Sequence, residues 1–233
     1  MGYRKFQDLQ DLDSNNGFAR WDRYVSPNGR RSDAAHAYIH PKLGEPQYAN
    51  LHVLVETKIV RVLLDHNKRA TGVEFTPNPA FQPAAPGAEA LKRVVRARKL
   101  VVVSCGACGT PGVLERSGIG NPKVLAKAGV PLAVDLPGVG HDYQDHHLAA
   151  YPYRTSLADV QTINQFISMS ENAETSIQTK AAILGWNSID IAAKLRPTAD
   201  EVAALGPEFQ AAWDRDFKHA PNRPLMIFAP LSV

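Results

Sequence analysis

One stretch constrains the fold of this chain more than any other. Lys99-Leu100-Val101-Val102-Val103-Ser104 is a continuous apolar, β-branched run, the pattern of a strand covered on both faces in a parallel sheet. Cys105-Gly106-Ala107-Cys108-Gly109 follows as a tight turn of small residues. Thr110 then suits a helix N-cap and Pro111 the first helical position. Val113 and Leu114 begin an apolar face. Ser117-Gly118-Ile119-Gly120 stops the helix, with Gly118 suited to the left-handed conformation that ends helices. Asn121-Pro122 restarts a short helix, closed by Gly129, and 130–134 reads as a further strand. Strand, small-residue turn and helix N-terminus together form the unit with which nucleotide-binding α/β sheets meet negative charge. The pattern is common, and by itself it leaves a purely structural reading equally open.

The rest of the chain divides around this element. Residues 1–46 are polar, Gly/Pro-punctuated and without sustained periodicity. They are expected to be extended or looped chain that packs on the middle segment. Over 47–150 the pattern becomes β-rich. Leu51, Val53 and Val55 alternate with their neighbours, Ile59, Val60, Val62, Leu63 and Leu64 follow, and Gly72-Val73-Glu74-Phe75 resumes after Asp65-His66-Asn67-Lys68. That predicts a β-meander. Pro79, Pro83 and Pro86 mark a loop over 78–86, and 94–98 reads as a strand with one wet face. Over 151–233 the stretches 160–167 and 189–195 are apolar-periodic. Thr198 and Glu201 form a capping box for a helix ending by Gly206. Residues 207–217 form an amphipathic helix with Phe209, Ala212, Trp213 and Phe217 on one face.

Composition removes several classes. The chain has 233 residues, 44% apolar and 21% charged, which is globular composition. Twenty-six Lys and Arg against 23 Asp and Glu give a net charge of +3, with no basic cluster of the kind that nucleic acid requires. No apolar run approaches the roughly 20 residues needed to span a bilayer. Two cysteines cannot build a multi-bridge framework. No signal peptide is visible after Met1, and Leu231-Ser232-Val233 is not a peroxisomal address.

The stretch from Gly106 to Gly120, Gly-Ala-Cys-Gly-Thr-Pro-Gly-Val-Leu-Glu-Arg-Ser-Gly-Ile-Gly, resembles the second signature of the glucose-methanol-choline (GMC) flavoprotein oxidoreductases at every specified position. Asn50-Leu51-His52-Val53-Leu54 resembles the family's strand before its adenine contact. Gly72-Val73-Glu74-Phe75 resembles the following strand. Asp135-Leu136-Pro137-Gly138-Val139-Gly140 with Gln144-Asp145-His146 resembles a further family segment. Gly29-Arg30-Arg31-Ser32-Asp33-Ala34-Ala35-His36-Ala37-Tyr38, Leu195-Arg196-Pro197-Thr198 and 209–224 are similar to the fungal methanol (alcohol) oxidases.

The resemblance implies an α+β (mixed α/β) chain: part of a Rossmann-type FAD-binding domain over 47–150, then part of an antiparallel-sheet substrate domain over 151–233. It implies FAD as cofactor and small primary alcohols as substrates, with hydride passing from the alcohol carbon to the flavin. In the oxidases dioxygen then takes the electrons and becomes hydrogen peroxide. Ile59 matches the family's adenine contact. Ser104, Cys105 and Gly106 match its turn beside the nucleotide half of FAD, with Cys105 standing where Ala or Gly is usual. No Gly-x-Gly-x-x-Gly occurs, and the family's catalytic histidine is expected beyond Val233. The chain is therefore expected to be an internal slice, with no catalytic residue, inactive alone; the alternative is a non-catalytic remnant or interaction piece. The resemblance also implies a homo-oligomer, and for location the peroxisome in which alcohol oxidases are often found.

Other readings of the same residues carry less weight. Cys105-x-x-Cys108 sits where thioredoxin-like proteins keep a redox pair, but two small fillers of a turn explain it more simply. His141, Asp142, Asp145, His146 and His147 have metal-ligand chemistry, yet no helix aligns three of them, and Asp145 and His146 are expected to fix their loop by hydrogen bonds. Arg30-Arg31 is read as solvated or paired with Asp33, and Trp186 and Trp213 as packing residues.

Overall fold

A computed structural model of the chain describes residues 3–26, 29–83, 91–158 and 161–232; Pro86 and Val160 lie outside them. In chain order the elements are β1 (Arg4–Lys5), β2 (Gly17–Arg20), β3 (Thr57–Leu64), β4 (Ala70–Pro77), β5 (Arg93–Arg96), α1 (Gly106–Arg116), β6 (Ile119–Gly120), α2 (Pro122–Lys127) and β7 (Val134–Asp135). Then come α3 (Asn164–Ile167), α4 (Glu171–Gln178), β8 (Ile191–Leu195), α5 (Ala199–Ala204), α6 (Pro207–Asp216) and β9 (Met226–Phe228). The class is α+β with open sheets. Two compact units form: Met1–Ala49 with Pro152–Val233, and Asn50–Tyr151. Among the described residues no helix is long and apolar enough to cross a membrane.

The first unit holds a sheet of order β1-β2-β8-β9, antiparallel except for the β1–β2 pair. Its core is Phe6, Leu9, Ala19 and Ala192, with Trp21 and Ala229 packed against it. Part of 1–46, expected to be extended or looped, is a sheet strand here: β2 pairs with β8, from Gly17 opposite Lys194 to Arg20 opposite Ile191. A strand whose backbone is satisfied by a partner far along the chain need show no periodicity of its own.

The helices of this unit follow local chemistry closely. Thr198 Oγ1 accepts the Glu201 N–H at 3.3 Å, and Glu201 Oε2 accepts the Thr198 N–H at 2.8 Å, so the capping box forms as read. The Thr198 N–H first and then the Thr198 hydroxyl, which donates to Glu201 Oε2 at 3.1 Å, hold the Glu201 carboxyl below its usual value of 4.5. A depressed carboxyl contributes stability that is complete above its unfolded value and vanishes as pH falls through the folded one. Thr198→Ala should cost about 1 kcal/mol and weaken that acidic dependence in part, since the Thr198 N–H bond to the carboxyl remains, as read from urea midpoints at neutral pH and at pH values below that of the free carboxyl. In α6, Trp213 is buried and lies between Phe209 and Phe217, at ring distances of 6.4 and 5.5 Å.

The second unit is built on the antiparallel sheet β3-β4-β5, with β6 and β7 paired in parallel beside it. Val62, Phe75, Val113 and Leu125 are its buried apolar residues. The register of β3 on β4 shifts between Ile59 and Arg61, leaving Val60 as a bulge. Two strand expectations fail here. Neither 51–55 nor 100–104 enters a sheet, and Val55, Leu100 and Val102 are exposed. A β-branched run takes up strand structure when neighbours offer it both edges, and none of the described residues does so. β5 is exposed on both faces rather than one.

Candidate functional site

The site of interest is the entry to α1. The helix begins at Gly106 with Cys105 as its N-cap, five residues earlier than expected, and Pro111 lies inside it. The reason is visible in Thr110. Its hydroxyl reaches back and accepts the Cys105 N–H at 3.0 Å, so it satisfies an orphan donor of the first turn from within the helix. Pro111, without an N–H, withholds the bond that the Ala107 carbonyl would otherwise receive.

Gly106 has φ +80°, and a β-carbon built there would meet nothing within 4 Å. The elbow is therefore open, and glycine is required by its backbone angle rather than by crowding. Ser104, Cys105 and Gly106 are consecutive and exposed. Three of the four residues proposed from sequence thus share one exposed segment at a helix N-terminus, with Gly106 alone free of a side chain.

Ile59 stands apart from them. It is half-buried at the start of β3, and its carbonyl accepts Arg116 Nη2 at 3.3 Å. Arg116 Nε also donates to the bulged Val60 carbonyl at 2.7 Å. Ser117 Oγ accepts the Val62 N–H at 2.8 Å while donating to the Val113 carbonyl at 2.6 Å. A β-carbon on Gly112 would lie 3.2 Å from the Arg116 guanidinium. Ile59 therefore meets the helix through Arg116, its last residue, whereas Gly106 is its first. A ligand touching both must lie along the helix. Arg116 and Ser117, the clamp that places α1 on β3, were missed in the sequence; the signal was a pair of polar residues directly before the helix-ending glycine.

The loop after Gly138 runs beside the same helix. A β-carbon on Gly140 would sit 3.6 Å from Pro111 Cβ and from Glu115 Oε1. Beyond it, Tyr143 Oη donates to Asp145 Oδ2 at 3.1 Å, and the His146 N–H donates to Asp145 Oδ1 at 2.7 Å. Asp145 fixes the loop as expected, and these bonds, His146 first, hold its carboxyl below the ordinary range. The Tyr143 hydroxyl is pushed up, first by its bond to Asp145 and then by the nearby Cys108. Tyr143, Gln144, Asp145, His146 and His147 line an open hollow of about 470 Å³. No three His, Cys, Asp or Glu groups converge on a metal position among the described residues. Arg31 Nε lies 3.7 Å from Asp33 Oδ2, the pairing read from the sequence.

Residues 1–148 match the family model described as GMC oxidoreductase. The chain belongs to the GMC oxidoreductase family. Among GMC relatives it is 37% identical over 231 residues to an alcohol oxidase of Candida boidinii, covering 97% of this chain and 34% of that protein. It is 35% identical, with the same coverage, to an alcohol oxidase of Pichia angusta. An oxygen-dependent choline dehydrogenase of Cronobacter sakazakii is 37% identical over 145 residues, 62% of this chain and 23% of that one. The chain spans about a third of the length of the alcohol oxidases it matches. Its fold is shared with a solved formate oxidase at a TM-score of 0.66 and 16% identity, over 91% of this chain and 34% of that one. An Aspergillus oryzae formate oxidase variant, studied for FAD modification, gives 0.61 at 16% identity, over 98% and 36%.

Proposed function

We propose that this GMC chain serves an FAD-dependent oxidation of alcohol CH–OH groups, with short primary alcohols as substrates, and that it supplies the adenosine side of the cofactor site. The observation carrying this reading is the open elbow Ser104-Cys105-Gly106 at the start of α1. It lies in a chain that is 37% identical to an alcohol oxidase over 231 residues. Bound FAD supplies the hydride acceptor. The protein's share is binding. Gly106, without a side chain, lets a nucleotide approach the main chain closely, and the first-turn N–H groups meet its negative charge. Ser104 offers a hydroxyl that both donates and accepts, and the Ile59 carbonyl keeps a second lone pair beside its bond to Arg116. No residue here is assigned to proton transfer, so the chain alone binds and orients without turning over alcohol.

The test is a flavin titration of the purified full chain. FAD should bind, ADP should displace it, and FMN, which lacks the adenosine, should not bind. No binding of FAD, or equal binding of FAD and FMN, overturns the reading of the elbow. With FAD present, added methanol or ethanol under air should release no hydrogen peroxide. Steady release would overturn the placing of the reacting groups elsewhere.

A further inference from the structure

The two thiols at this elbow are not used by the cofactor reading beyond their small size. Both cysteines are free and exposed. Cys105 is the N-cap of α1, and Cys108 lies three positions on, in the same first turn. We propose that Cys105 and Cys108 are a peroxide-responsive pair that closes to an intramolecular disulfide across the entry to α1.

Residues three apart on a helix stand about 5–6 Å apart at Cβ, and a disulfide needs about 3.5–4.5 Å. The difference is within reach because Gly106, which lies between the two cysteines, has φ +80° and open surroundings, so its backbone turns without collision. The Cys105 β-carbon lies 3.1 Å from where a β-carbon on Gly109 would be. The Cys105 side chain thus starts over the first turn, to which Cys108 belongs, and Gly109, without a side chain, puts nothing in the way. Tyr143, hydrogen-bonded to Asp145, is the titratable neighbour on the Cys108 side.

The chemistry balances with hydrogen peroxide as oxidant. One sulfur attacks a peroxide oxygen, the O–O bond breaks, and a sulfenic acid and water form. The second sulfur attacks the sulfenic sulfur, the S–S bond forms, the S–O bond breaks, and a second water leaves. The two thiols lose two electrons and two protons, and peroxide takes both. The proposal rests on the oxidase reading only for the origin of the peroxide. Its test adds peroxide directly, so the two can fail separately.

The reduced full chain is treated with hydrogen peroxide, alkylated and digested with trypsin. Both cysteines fall in the peptide 100–116. That peptide should lose the mass of two hydrogens and take no alkyl group, the chain should stay single without reductant, and a dithiol should restore both thiols. Cys108→Ser should abolish the two-hydrogen loss. Two alkylated thiols after peroxide, oxygen added without hydrogen loss, or disulfide-joined chains would each overturn the proposal.

Discussion

Gly118→Ala should destabilise the second unit by roughly 2–5 kcal/mol, the sum of a left-handed backbone penalty and a packing collision. Gly118 has φ +80°, and a β-carbon there would come within 2.6 Å of the Pro131 carbonyl oxygen and 3.1 Å of Ala133. Neither neighbour is a flexible side-chain end. The Gly118 carbonyl accepts the N–H groups of Ala133 and Val134 at 2.8 and 3.0 Å, so moving away breaks the contacts that hold β7 on β6. Gly106→Ala is the control. It has the same φ but open space, so only the backbone part, about 1–2 kcal/mol, should remain. Urea denaturation followed by circular dichroism reads both, and equal shifts for the two variants would refute the packing argument.

The second large effect is expected at Arg196. Its guanidinium stacks 4.4 Å from the Trp213 ring. It also donates to the carbonyls of Ala220 and Arg223, at 3.0 and 2.8 Å, and to that of Phe217. One planar group thus ties the end of β8 to the turn that follows α6. Arg196→Lys keeps the charge but replaces a planar fork by a point donor, so it loses the stack and most of the bonds. A cost of about 2–4 kcal/mol follows from the hydrogen bonds and the cation–π contact. The unfolding midpoint of the first unit, followed by tryptophan fluorescence, should fall accordingly. A shift within about 0.5 kcal/mol, as for an ordinary surface change, would show that the clamp does not hold this end.

What could be read from the sequence was what short-range chemistry decides. Gly118 ends α1 in the left-handed conformation, Asn121 caps α2 by accepting the Lys123 N–H, and Thr198 with Glu201 caps α5. The turn read over 105–109 lies within the start of α1 instead, and Gly106 alone there keeps a turn's backbone angle, at φ +80°. What long-range pairing decides was not legible. β2 gave no sign of β8, and the β-branched runs at 51–55 and 100–104 carried the composition of strands whose edges are unmet among the described residues. The start of α1 was misplaced because Thr110 caps through its side chain from inside the helix, which mimics an N-cap in sequence. The separation of Ile59 from Gly106 depends on an arginine side chain crossing to a bulged strand, and spacing cannot show that.

The clamp of Arg116 and Ser117 on β3 also has a mechanical meaning. It fastens one tip of a rod about 16 Å long, at 1.5 Å per residue over eleven residues. The opposite tip is braced by a threonine folded onto its own turn and by the passing loop at Gly140. The elbow at Cys105 and Gly106 thus stands a full helix length from the anchorage on the three-stranded sheet, so a change confined to it leaves the Arg116 and Ser117 bonds untouched.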